Sequence, residues 1–113
     1  MRVIHIKSGA ILGENIYLAT TFGMRLRGLM FRKNMLGDGL IIDPCNSIHN
    51  CFVSFPIDVI FLSKDNRIVK VLRNFKPWRF SLIYLKASKV VELPSGKVPL
   101  SISCGDELEV LGV

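Results

Sequence analysis

The run Ile57-Asp58-Val59-Ile60-Phe61-Leu62 is apolar at every position but one, and this constrains the chain more than any other stretch does. An edge strand of an antiparallel sheet alternates wet and dry side chains, so a strand with almost no wet position must be covered on both faces. The run is therefore expected to be a central strand. Lys64-Asp65-Asn66-Arg67 follows as a tight turn, with Asn66 in the left-handed conformation that its short side chain tolerates, and Ile68 to Leu72 returns alongside. The carboxylate of Asp58 cannot stay unpaired in such a strand. A cation from the segment 25 to 32, such as Arg27, is the expected partner.

The other elements follow from shorter signals. Val3 to Ile6 reads as the first strand, paired in a hairpin with Ile16 to Leu18 across a turn region containing Gly13. Thr20 or Thr21 can cap a helix over about Thr21 to Phe31, in which Phe22, Leu26, Leu29 and Met30 share one face. Further strands are expected at Leu40 to Ile42 and at Val90 to Leu93, where Pro94 stops the run, and Pro99 to Cys104 and Glu107 to Leu111 finish the chain around a turn at Gly105-Asp106. Ser81 to Ala87 suits an irregular or short extended stretch. Many short strands and one short helix give a mainly β, α+β fold, either a small antiparallel barrel or two packed sheets. At 113 residues, with no linker, repeat or low-complexity run, residues 1–113 form one domain.

Fifteen Lys and Arg against nine acids give a net charge of +6. That balance suits a soluble surface, and it also favours a polyanion or a protein partner at the basic face. The longest wholly apolar run, Val59 to Leu62, is far shorter than the ~20 residues of a transmembrane helix. No apolar block of the secretory kind opens the chain, so a cytoplasmic location is expected. Three cysteines without a CxxC pair argue against a disulfide framework.

Three constellations could carry chemistry. Cys45, His49 and Cys51 occupy odd positions of one extended stretch, but Cys45 and His49 would lie ~13 Å apart, so a metal shell would need a bend and a further ligand such as Cys104. Packing is the expected role of the thiols, and neither a metal nor another cofactor is expected. His49, Asp58 and Glu92 offer groups for acid and base catalysis, although no activated nucleophile accompanies them. Finally, Arg73, Lys76 and Arg79 interleave with Phe75, Trp78 and Phe80. Such a mixture can stack bases, hold phosphates or sit at an anionic membrane surface, while its packing role would put Trp78 at the edge of the core with the cations left wet.

Arg25-x-Arg27-Gly28-Leu29-Met30-x-Arg32, Ser47-Ile48-His49, Phe55 to Leu62, Val91 to Gly96 and Gly105-Asp106 come in one order and together cover about residues 14 to 111. In these blocks the chain resembles the family catalogued as domain of unknown function 192. The resemblance implies a compact, mostly β protein of bacterial or archaeal type with no established catalytic residues, many of whose relatives are exported. The expected function is a small non-catalytic binding domain, for a small ligand or a macromolecule, using His49, Arg27, Arg73, Trp78 and Arg79. An enzyme built on His49, Asp58 and Glu92 is the alternative.

Overall fold

The computed structural model describes residues 1–112. Ile57–Leu62 forms strand β5, and all six of its residues are buried. Its neighbours β6 (Ile68–Phe75) and β7 (Lys89–Pro94) both run antiparallel to it. Asn66 stands at the turn into β6 with φ of 62°. Beyond β7 lie β4 (Gly39–Ile42) and β3 (Ile16–Ala19), which gives a five-stranded sheet in the order β3-β4-β7-β5-β6. A second, three-stranded sheet has the order β2-β1-β8, from Arg2–His5 (β1), Ile11–Gly13 (β2) and Leu108–Leu111 (β8). The architecture is two packed sheets with one short helix, not a closed barrel.

The expected hairpin of Val3 to Ile6 with Ile16 to Leu18 does not form. β1 takes β2 on one side and β8 on the other, while β3 pairs parallel to β4. Parallel neighbours need a long crossover, and the segment between them supplies it with the only helix among the described residues, α1 (Phe22–Arg27).

Strand alternation gives the large sheet two dry faces. Ile60 and Leu62 of β5, Val91 and Leu93 of β7 and Ile41 of β4 pack against Val3, Leu12 and Leu108 of the small sheet. Val59, Phe61, Val90, Leu40 and Ile42 point the other way, where loops rather than a second sheet cover them, through Leu29, Ile48, Val53 and Ala87. The central strand is buried twice over because two different covers exist.

α1 is shorter than the apolar spacing suggests. Thr21 caps it, its Oγ1 accepting from the Met24 N–H at 3.2 Å, and the helix stops at Gly28, whose φ is 47°. Only Leu29 of the four expected apolar contacts reaches full burial; Phe22 and Leu26 stay exposed. A glycine in a left-handed conformation ends the helical turn before the face is complete.

Asp58 has no arginine partner. Its carboxylate accepts from the backbone N–H groups of Asn74 (2.8 Å), Gly96 (2.9 Å) and Val98 (3.2 Å) and is 1% exposed. The reason lies in the strand register: Asp58 stands opposite Leu93, on the side of the sheet that faces β1 and β8, whereas α1 and its arginines lie across the other face. The turn after Pro94 folds back over that end of β5 and presents its donors there.

Candidate functional site

On β7 the alternation that sends Val91 and Leu93 toward the small sheet sends Glu92 toward the loop-covered face, in register with Leu40 and Val59. There the cover is incomplete. A cavity of about 270 Å³ lies between α1 and the extended arm formed by residues 44–53, walled by Leu29, Ile42, Ile48 and Val53 and floored by Glu92. Arg25, Arg27, Phe22 and Leu26 of α1 line one side, and Cys45 and His49 the other.

Glu92 is 5% exposed. Burial alone pushes its carboxyl up to about 8, with no described donor or cation to offset the loss of water. Near neutrality it is thus a carboxylic acid, able to donate one hydrogen bond and accept others. Burial likewise raises the Cys45 thiol, and its S–H donates to the Ser47 carbonyl at 3.0 Å. A thiol held protonated is a packing group, not a nucleophile.

One of the arginines that line the cavity is half-committed. Arg25 Nη1 donates to the Pro44 carbonyl at 3.2 Å, tying α1 to the arm, while its buried Nε has no partner. His49 sits at the mouth, exposed, and its Nδ1 accepts from the Cys51 N–H at 3.2 Å, which puts the proton of the neutral ring on Nε2.

The arm itself is held by a partner segment. Asn50 N–H donates to the Arg79 carbonyl and Trp78 N–H to the Asn50 carbonyl, each at 2.9 Å, and Ser81 N–H reaches the Ile48 carbonyl. The Asn50 side chain, 1% exposed, donates to the carbonyls of Phe55 and Phe75. No motif in the sequence announces this clamp. Its one local signal is a lone amide between two segments rich in apolar residues.

Of the residues singled out from sequence, Arg27, His49 and Glu92 meet at one cavity, and Asp58 lies across the sheet from it. Arg73 turns away, its guanidinium donating to the carbonyls of Val98 and Pro99. Trp78 and Arg79 lie outside the cavity, on the segment that braces the arm. The expected burial of Trp78 in the core is not met: it is 60% exposed, and its ring packs edge-on against Phe52 at 4.8 Å. Its bond to Asn50 and a φ of 63° lay the indole over the surface of the arm instead.

The DUF192 family model, described as an uncharacterized ACR, matches residues 3–110. A UPF0127 protein of Pyrococcus furiosus is 34% identical over 113 residues, covering 95% of this chain and 96% of its own length. A crystal structure of a protein of unknown function from Novosphingobium aromaticivorans is similar at a TM-score of 0.77 and 28% identity, over 96% of this chain and 82% of that one. A Sinorhizobium meliloti protein, described provisionally as a transcription regulator, is similar at a TM-score of 0.78 and 29% identity, over 96% and 89% of the two chains.

Proposed function

The chain belongs to the DUF192 family of uncharacterised proteins, and from that premise we propose that it is a binding domain whose cavity between α1 and residues 44–53 takes a small ligand. The ligand is mainly apolar and carries one hydrogen-bonding group that meets Glu92. A single observation carries this reading: the carboxyl of Glu92 is buried at the floor of a cavity without any partner from the described chain. Buried polar groups are ordinarily satisfied, so an acid that opens on a hollow and has no partner from the described chain marks where a ligand's polar atom belongs. The three free cysteines support a reducing compartment such as the cytoplasm. Among the described residues no helix is long and apolar enough to cross a membrane.

A screen of apolar fragments with one polar group, read by NMR, tests the proposal. Binders should perturb Leu29, Ile42 and Ile48, and Glu92→Leu should weaken them about fivefold, the value of one net hydrogen bond of ~1 kcal/mol. Binders that map elsewhere, or that ignore the substitution, would remove the reading.

The second reading is catalytic, favoured by the presence of His49 and of an acid titrating near neutrality at the same cavity. It requires turnover. Bound fragments recovered unchanged in mass after long incubation with the protein would leave binding alone.

A further inference from the structure

The arm and the segments bonded to it carry a surface that packing does not explain. Phe31, Phe52 and Trp78 stack in a row, with ring centroids 5.1 and 4.8 Å apart, yet each is at least half exposed. All three have positive φ, at 63°, 59° and 63°. Among the described residues only two other non-glycine positions do, and both are asparagines. A bulky aromatic in this region is strained and persists only where its surroundings over-determine it. Here the bonds Phe31 N–H to Phe52 carbonyl and Trp78 N–H to Asn50 carbonyl hold the backbone in place. Along the segment that braces the arm, Phe80 lies over His49, and Leu82 and Leu85 project at 74% and 88% exposure. Monomeric surfaces carry apolar residues singly; a band of exposed rings and aliphatic side chains along the arm and the segments bonded to it marks a contact.

The charge around the band has one sign. Residues 20–37, 44–57 and 66–91 contain no Asp or Glu. Arg27, Lys33, Lys76, Arg79 and Lys86 are exposed on these segments, and none is in an ion pair with a described residue.

We infer that this face docks on the surface of an anionic phospholipid bilayer, with the aromatic and aliphatic side chains entering the headgroup region and the cations meeting lipid phosphates and carboxylates. This inference goes beyond the cavity and does not depend on it. Nucleic acid would present the same negative charge, but Leu82, Ile83 and Leu85 have no π face to stack on a base, and the edge of one ring already covers part of the Phe52–Trp78 pair. A second copy of the chain would press like charges together. A bilayer accepts both halves of the face.

The test is sedimentation of the full chain with vesicles of phosphatidylcholine alone or mixed in equal parts with phosphatidylserine. Binding is expected only to the mixed vesicles, weakening as salt screens the surface, with the Trp78 emission shifting to the blue and becoming shielded from acrylamide. Lys76→Glu with Arg79→Glu should cost at least about fivefold per charge. Leu82→Ser with Leu85→Ser, at exposed positions that leave the melting temperature unchanged, should abolish the Trp78 shift. The inference is overturned by absence of sedimentation, by equal binding to both vesicles, or by binding that survives both pairs of substitutions. Trp78 quenching by an oligonucleotide without vesicle binding, or its shielding by self-association, would also overturn it.

Discussion

Nε2 of His5 lies 2.8 Å from Oδ2 of Asp106, and its Nδ1 lies 2.6 Å from Ser8 Oγ, so one imidazole, 1% exposed, ties the turn after β1 to the turn before β8. The bond to His5, followed by one from the Ser103 N–H, holds the Asp106 carboxyl below its ordinary range. A depressed carboxylate contributes stability above its unfolded value of 3.8 and loses it as pH falls through the lower folded value. Asp106→Asn should therefore melt below the wild type at neutral pH, and the gap should narrow in acid. Parallel curves from neutrality into strong acid would show that the bond carries no stability.

Asp58 gathers three backbone donors from two segments, so its loss strands buried N–H groups. Asp58→Ala should cost ~3–5 kcal/mol in urea unfolding, with each orphaned donor worth ~1–3 kcal/mol before relaxation. Asp58→Asn keeps an accepting oxygen and should cost less. Arg27→Ala should leave stability unchanged, and a large loss there would restore the ion pair that the sequence suggests.

For Glu92 the linkage runs in the opposite direction. Its folded value of about 8 stands above the unfolded 4.5, so the neutral acid is favoured by folding, and stability declines as pH rises from 4.5 to about 8. At neutral pH the penalty relative to an uncharged side chain is on the order of 3 kcal/mol. Glu92→Gln should raise the melting temperature at pH 7–8 by several degrees and flatten that part of the profile. Thermal melts across the range would decide it, since an identical slope in wild type and variant excludes Glu92 as its source.

Trp78 is the single tryptophan, which makes its environment directly readable. Its emission should peak at the wavelength of a solvated indole and be readily quenched by acrylamide. Trp78→Ala should cost no more than ~1 kcal/mol, against the ~3–5 kcal/mol of a core tryptophan. A blue, unquenchable emission from the free protein would return the ring to the interior.

These positions show what the sequence could and could not disclose. β5, the Asn66 turn and the stop at Pro94 were legible because burial on two faces, a left-handed turn residue and a missing N–H each leave a local mark. The partner of β1 was not, because Ile11 to Gly13 and Ile16 to Leu18 are equally short apolar runs and the β8 pairing spans nearly the whole chain. Periodicity located the helix but ran it past its end at Arg27, so that Leu29 and Met30 fall outside it, and it said nothing of whether anything covers Phe22 and Leu26. Asp58 and Glu92 were both visible as acids in apolar strands. Only the parity of each strand within the assembled sheet decides that one is clamped by a turn while the other faces a cavity.

Because Arg2 pairs with Leu111 and His5 with Leu108, the small sheet joins β1 to a strand that is synthesised long after it. A ribosome adds roughly 5–20 residues per second, so β1 waits several seconds for one of its two neighbours. Until Leu108 arrives, the face of the large sheet built from Ile60, Leu62, Val91 and Leu93 lacks part of its cover. A nascent chain therefore carries a half-dressed apolar sheet until β8 has been made, the kind of surface that chaperones hold, and it can close that face only then.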